Sequence, residues 1–390
     1  MRFFDNRSIN RLYLHSGLQS FAFNGGSVFS YVYLLKAGLA NYLVFFTIAA
    51  VILLRLVLRL ALLPIVHRIG LRNGLILGTL IDASSFLLLG QVHGPGAWLL
   101  AYMLLSSCGT AFYWTCYHAS VTRLGDVEYR GAQVSAREAI FAITGIIAPL
   151  FGGFMLTIFG PVYAFASTAL IYALAAVPML GAPHMVVERE AQLSREAKVF
   201  ASGLAFSDGL VAAAVNFGWR IVLFQTLGES FKNYGGALAV AGLAGAVVGL
   251  IGGRLIDLGH HKRSVQIGLA IMICTILAET FGYASPWSAI AANMIGAVAG
   301  PIYMSSIMAP LYNVGQSSAC AFRFNVIAEN GFDCGAGFGA LAAGVLTWSG
   351  FGYSWLLMMG LFGCLGVYLV LRNKDRNGLH FVPEASQLTT

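Results

Sequence analysis

Glu329 and Asp333 stand four residues apart in a long, mostly apolar run, and Asn325 precedes them at the same spacing. That spacing lines the three side chains along one face of a helix. Two carboxylates so close in a medium of low dielectric cannot both ionise easily, which is what a reversible proton carrier needs. Pairing with a facing arginine is the other use of such groups. Asp208 is a third acid in apolar surroundings, and Asn330 is a further polar neighbour of the pair. Cations occupy similar settings. Arg55 and Arg59 form one i, i+4 pair, and Asn216 shares a face with Arg220 in the same way. His15 and Gln19 share another face, with Asn24 deeper in the same run.

The elements that position these groups follow from composition. The chain has 390 residues, 58% hydrophobic and 10% charged, with a mean hydropathy of +0.76. An ordinary soluble domain carries roughly 25% charged residues. A soluble enzyme of this size and a disordered chain are both excluded, and a polytopic membrane protein remains. A spanning helix needs about 20 mostly apolar residues. Twelve such runs are found, at 10–35, 42–64, 73–91, 96–118, 132–159, 161–180, 200–227, 234–258, 265–281, 286–308, 318–348 and 353–371. The runs are continuous, without the alternation of a transmembrane β-barrel strand. The expected fold is all-α, with twelve transmembrane helices.

Basic residues set the orientation. Lys36 and Lys232 fall in loops on one side, whereas Arg2, Arg7, Arg68, Arg72, Arg123, Arg130, Arg189, Arg195, Lys198, Lys262, Arg263, Arg372, Lys374 and Arg376 fall on the other. This bias predicts a multi-pass protein of the cell (inner) membrane with both termini cytoplasmic. The net charge of +7 then reads as topology and contact with the lipid bilayer and its anionic headgroups, and no nucleic-acid partner is implied. The six cysteines all fall within or at the ends of spans and read as buried free thiols. The first apolar run, interrupted by His15, Gln19 and Asn24, is unlike a cleavable signal peptide.

Side chains near the ends of spans read differently from those at the centre. His15, close to the cytoplasmic end of its run, is expected at a solvated interface, and Glu279, near the outer end of the ninth, in solvent. Tyr113, Trp114, Tyr117 and His118 read either as an aromatic wall or as an interfacial belt, and their place late in the fourth run favours the belt.

The most polar internal stretch divides the chain in half, giving a six-helix bundle at 1–183, a cytoplasmic linker at 184–198, a second bundle at 199–372 and a tail at 373–390. The halves echo one another. Leu156, Thr157, Gly160 and Tyr163 recur as Leu346, Thr347, Gly350 and Tyr353, a constant shift of 190 positions. Two parallel six-helix repeats are expected.

The loop after the second span reads His67-Arg68-Ile69-Gly70-Leu71-Arg72, and the loop after the eighth contains Gly253-Arg254-Leu255-Ile256-Asp257-Leu258-Gly259. Together they resemble the paired loop signature of the major facilitator superfamily, Gly-x-x-x-Asp-Arg-x-Gly-Arg-Lys. The second copy keeps Gly253 and Asp257. The first keeps Arg68, Gly70 and Arg72, with Leu63 and His67 in place of the leading glycine and the acid. In the fifth span Gly145, Pro149, Gly152 and Gly153 resemble the Gly-Pro-x-x-Gly-Gly signature of the antiporter branches, with Ala148 replacing one glycine. The arginine typical of drug–proton antiporters is missing from the fourth span.

The resemblance implies alternating access, with the loop residues Arg68, Gly70, Arg72, Gly253 and Asp257 and the fifth-span residues Pro149, Gly152 and Gly153 acting in gating. It places the first and seventh spans around a central cavity, so that Asn24, Asn216 and Arg220 become candidate substrate contacts together with Arg55, Asn325 and Asn330. It also brings the second and eleventh spans together. Arg55 then has two candidate partners: the pair Glu329 and Asp333 across the halves, or Asp82 within the first half.

The function expected is a secondary transporter of a small-molecule substrate, coupled to protons or another ion through Glu329, Asp333 and Asp208, with export suggested by the fifth-span motif. No ATP-binding loop, no HExxH or GxSxG motif and no dense metal-ligand cluster is present, so neither a cofactor nor a metal is implied. A membrane-embedded enzyme and a non-transporting sensor on a transporter scaffold are the alternatives.

Overall fold

Backbone groups in lipid have no water to bond, so long apolar runs close their hydrogen bonds internally as helices. A computed structural model describes residues 7–124, 130–184, 187, 192–256, 261–318 and 320–376. No strand occurs among them, and their helices group into twelve rods. The first, α1, joins Arg7–Ala22, the π-helical Phe23–Ser27 and Val28–Lys36. Asn41–Leu89 is broken at Gly70, whose φ of +79° is left-handed, so it makes two rods, α2 (41–69) and α3 (71–89). Ala97–Leu124 (α4), Arg130–Ile158 (α5) and Gly160–Leu180 (α6) complete the first half.

The second half repeats the plan. Its first rod, α7, joins Arg195–Ala212, the π-helical Ala213–Gly218 and Trp219–Thr226. Phe231–Ile256 (α8), His261–Gly282 (α9), Pro286–Ser317 (α10) and Ala321–Trp348 (α11) follow. The last rod, α12, joins Tyr353–Met358 and Gly360–Arg376. Among the described residues, eight helical stretches are long and apolar enough to cross a membrane, one of them holding both α2 and α3.

The two halves share backbone irregularities that side-chain identity alone does not display. Gly38 and Gly228 follow the first rod of each half with φ of +92° and +74°. Gly160 and Gly350 turn the fifth rod into the sixth with φ of +78° and +80°. Members of each pair are 190 positions apart, the shift already seen in the sequence. Glycine adopts this region without a Cβ penalty. The π segments of α1 and α7 also begin 190 positions apart.

Some helices run beyond the apolar stretch that predicts them. Rod α2 continues through Pro64 to the turn at Gly70, and α10 runs to Ser317 through Pro301 and Pro310. A proline removes one donor and bends a helix, and in membranes neighbouring groups re-satisfy the freed carbonyl. At α10 the start is fixed instead, by a capping box between Ser285 and Ser288 with Pro286 in the first turn.

The end at which α1 begins and α12 finishes is the basic end, and the other is the distal end. At the distal end one continuous apolar core joins both halves, with Phe29, Phe45 and Phe165 packed together with Trp219, Phe224 and Tyr234. At the basic end the core is split. Leu12, Leu71, Phe112 and Met179 belong to a cluster of the first half, while Leu204, Ile276, Ile307 and Phe324 belong to one of the second. The continuous apolar core shared by the halves is therefore at the distal end, while at the basic end contact between them is smaller, with Phe322 of α11 packed against the first-half cluster.

Candidate functional site

Rods α2 and α11 face each other across the halves, and their buried charges meet near mid-helix. Arg55 Nε donates to Asp333 Oδ1 at 2.9 Å, and its Nη2 reaches the same oxygen. Arg59 lies one turn toward the basic end. Its Nη1 is 2.7 Å from Asp333 Oδ2, although that oxygen receives no well-aligned hydrogen bond. The same Nη1 donates to Asn330 Oδ1 at 2.8 Å, and Nη2 lies 3.4 Å from Glu329 Oε2. From α4, His118 Nε2 stands 3.4 Å from the other Glu329 oxygen, and its Nδ1 is 3.2 Å from the Tyr312 hydroxyl of α10.

The cluster holds two cations and two anions and is neutral overall when His118 is uncharged. Each charge at the centre of a bilayer costs about 2.5–3.5 kcal/mol on the lower scales, so isolated charges here would be strongly unfavourable. Mutual pairing offsets that cost. Burial is uneven: the side chains of Asp333 and Arg59 are 0% and 1% exposed, whereas Glu329 is 18% exposed. Glu329 is the carboxylate within reach of water.

Asp82, the alternative partner of Arg55, is buried in α3 and takes no part in this pairing. The Ser85 hydroxyl donates to its backbone carbonyl at 2.7 Å. Asn325 is buried one turn toward the basic end from Glu329.

A second group of polar side chains surrounds the π segments. One extra residue per turn widens a helix there, and such segments are frequent at functional sites. Asn24 Nδ2 donates to the Ser20 carbonyl at 2.9 Å, where the helical register changes. The Ser20 hydroxyl is 2.7 Å from Thr144 Oγ1 on α5. In α7, Asn216 is exposed although flanked by buried turns, and Arg220 is half-buried. Tyr31 of α1 meets Phe217 of α7 edge-on, with ring centroids 6.0 Å apart. Phe224, one turn beyond Arg220, meets Tyr234 of α8 edge-on, with ring centroids 5.6 Å apart.

The fifth-span motif lies between α1 and α8. A Cβ on Gly152 would strike the Gly25 carbonyl in the α1 π segment, and one on Gly153 would fall 2.7 Å from the Phe231 carbonyl of α8. Gly235 packs equally closely on the Pro149 carbonyl, and a Cβ on Gly242 would lie 2.7 Å from the Gly145 carbonyl. Small residues thus bring the backbones of α5 and α8 into contact across the halves. In the α2–α3 turn, Arg72 Nη1 donates to the Ala182 carbonyl at 3.2 Å, tying the turn to the end of α6, while Arg68 is exposed. Gly253 lies near the end of α8, and Asp257 falls outside the described residues.

Several side chains expected near water are inside. His15 is fully buried, its Nδ1 2.7 Å from the Ala175 carbonyl, because it faces α6 and not the boundary. Glu279 is 1% exposed and points from α9 toward Gly296 of α10, with Oε2 unpartnered among the described residues. Tyr113 and Tyr117 are buried and stacked at 5.4 Å, so the α4 aromatics form an interior wall and not a belt. Cys274 is exposed, unlike the other cysteines, and all six are free.

Asp208 is buried within the second half beside Tyr303 and Cys364, away from the paired charges. His118, Tyr31 and Tyr234 join the two sites without having been singled out for them. The i, i+4 step from Trp114 to His118 is the one sequence signal for this, since it puts the histidine on the inward face.

A family model described as Major Facilitator Superfamily matches residues 16–321. No curated protein sequence matches the chain. Among solved structures, a POT family transporter in complex with 5-aminolevulinic acid superposes with a TM-score of 0.70 at 12% identity, covering 96% of this chain and 97% of that one. A point mutant of the peptide transporter POT gives 0.68 at 13%, covering 95% of each. A POT family transporter in complex with a thioalcohol-conjugated peptide gives 0.69 at 12%, covering 95% and 97%.

Proposed function

The chain belongs to the major facilitator superfamily, and we propose that it is a proton-coupled secondary transporter of a small solute, working by alternating access. The observation that carries this reading is the buried cluster of Arg55, Arg59, Glu329 and Asp333, which joins the two halves at mid-helix. Glu329 is the proton carrier. It is the more accessible acid, and protonating it removes the counter-charge that Arg59 and His118 face. Asp333 is the latch that keeps α2 on α11. Two six-helix bundles, 1–183 and 199–372, rock about the linker 184–198, with the tail 373–390 beyond them.

The basic end is cytoplasmic, in keeping with the positive-inside rule, and the membrane is the cell (inner) membrane. The sealed distal core then faces outside. The solutes bound in the structural neighbours support a small-molecule substrate. The fifth-span signature favours export, although its glycines also have a packing role that is independent of direction.

Reconstitution into liposomes with a pH-sensitive dye inside tests the reading. Solute-dependent proton movement that vanishes in Glu329→Gln supports it. A membrane-embedded enzyme or a non-transporting sensor on the same scaffold would bind or convert solutes without moving protons.

A further inference from the structure

The molecule holds two arginine sites in different states, one at mid-helix and one nearer the distal end. Arg55 and Arg59 are committed to the acids of α11. Arg220 is not: among the described residues no carboxylate lies within ion-pair distance of it. It sits in α7 one residue beyond Trp219, whose Nε1 donates to Asn293 of α10 at 3.2 Å, and the two side chains leave the helix about 100° apart. Arg220 shares its face of α7 with Phe217 and Phe224, three residues before it and four after, and their rings meet Tyr31 of α1 at 6.0 Å and Tyr234 of α8 at 5.6 Å, both edge-on. Tyr234 is fully buried, and its hydroxyl has no hydrogen-bond partner among the described residues. Asn216 lies one turn back on the same face and is exposed. A cation and a buried hydroxyl, neither with an acceptor among the described residues, thus lie on facing helices of the second half against Tyr31 and Phe29 of α1.

We propose that Arg220, with the Tyr234 hydroxyl, is the anchor for the anionic head of the transported solute, and that this head is a monoanion of the carboxylate type. The inference rests on the transporter reading above and names its substrate class. A guanidinium presents a planar fork that matches a carboxylate in two hydrogen bonds. One positive charge and one neutral hydroxyl balance one negative charge, whereas a phosphate dianion would carry uncompensated charge into the low-dielectric centre. Asn216, exposed one turn from Arg220, supplies a neutral donor and acceptor for the rest of the solute. The site spans α1, α7 and α8, so an occupant touches both halves and its release is linked to their movement.

Thermal unfolding of the purified protein in detergent tests the site directly. The probes are short aliphatic, hydroxylated and aromatic monocarboxylates, each beside its amide and its amine, with inorganic phosphate as a further anion. At least one carboxylate is expected to stabilise the protein saturably, with its amide and amine inert. Arg220→Gln should weaken that carboxylate about 10–100-fold, the range for losing a charge-assisted hydrogen-bond partner. Arg220→Lys, which keeps the charge and loses the fork, should fall between, and Tyr234→Phe should weaken binding with no loss of folding. Carboxylate binding unchanged in Arg220→Gln and Arg220→Lys, stabilisation by amides or amines in place of acids, or no stabilisation by any carboxylate each overturns the site. Liposome flux separates the two levels. Proton-linked movement of a non-carboxylate leaves the transporter standing and removes the anion anchor. A carboxylate that binds through Arg220 and moves no protons keeps the anchor and removes proton-coupled transport.

Discussion

Arg59 Nη1 stands 2.7 Å from Asp333 Oδ2, while the other Asp333 oxygen is held by Arg55 one turn away. One aspartate of the second half thus holds two arginines from a single helix of the first. Breaking a buried pair by removing one partner leaves an uncompensated charge, which costs about 3–5 kcal/mol. Asp333→Asn strands parts of two arginines at once. It is expected to lower the unfolding temperature in detergent by several degrees, and a further Arg55→Gln change should recover part of the loss. A single-mutant shift below one degree would falsify the assignment of Asp333 as the latch.

Glu329 makes longer contacts, at 3.4 Å to both Arg59 and His118, and keeps some exposure. Glu329→Gln is isosteric and should cost stability roughly 1–2 kcal/mol at most. On the proposed role, its effect is expected in proton movement. Solute-driven acidification or alkalinisation of liposomes should vanish, while solute binding by thermal shift persists. Proton flux at the wild-type rate in this variant would transfer the carrier role elsewhere, and Asp208 is the next carboxylate to substitute.

How much of this the residues disclose depends on whether the question concerns depth or direction. Depth is written in run length, so the twelve rods and the mid-helix level of Arg55, Glu329 and Asp333 follow from counting apolar residues. Direction is not. Asp82 and Asp333 lie at comparable depth, and Arg55 chooses between them according to which helix it faces, a matter of helix rotation. The expectation that His15, Glu279 and Tyr117 lie at the boundary fails for the same reason: nearness to a helix end says nothing about which side of the helix is lipid. The π segments, FNGGS and AAVNFG, are equally silent, since one extra residue per turn leaves no periodic mark in so short a stretch. The repeat is legible because glycines at φ near +80° tolerate few replacements.

The carbonyl of Phe231 leaves no room for a side chain at Gly153, and that of Pro149 leaves none at Gly235. Gly153→Val or Gly235→Val should therefore wedge α5 from α8. Overpacking of this kind costs about 1–3 kcal/mol, small enough for the protein to fold, and the wedge lies between the halves and not inside either. Transport is expected to fall at least tenfold, with the elution profile unchanged and spin labels on α5 and α8 reporting a larger separation. Gly145→Ala serves as the control, because a Cβ there meets open space.

At the distal end two polar contacts join the halves, and they differ in burial. Lys36 and Glu229 pair at 3.3 Å, with 43% and 42% of their side chains exposed. Such a pair contributes about 0–1 kcal/mol and is screened by salt. Asn41, Gln225 and Tyr353 instead form a closed, partly buried ring. Gln225 Nε2 donates to Asn41 Oδ1 at 3.0 Å, Tyr353 donates to Gln225 Oε1 at 2.6 Å, and Asn41 donates to the Tyr353 hydroxyl. Three bonds share three side chains, so removing Gln225 leaves Asn41 and Tyr353 each short of a partner, at about 1–3 kcal/mol per unsatisfied group. Lys36→Ala is accordingly expected to change little, and nothing at high salt. Gln225→Ala should shift the protein toward a form open at the distal end. A cysteine placed at Tyr31 reads the shift: its labelling by a membrane-impermeant reagent added outside should rise several-fold in Gln225→Ala and stay at the background rate in Lys36→Ala. Equal labelling in the two variants would show that the apolar core around Phe29 and Trp219, and not the polar ring, keeps that end shut.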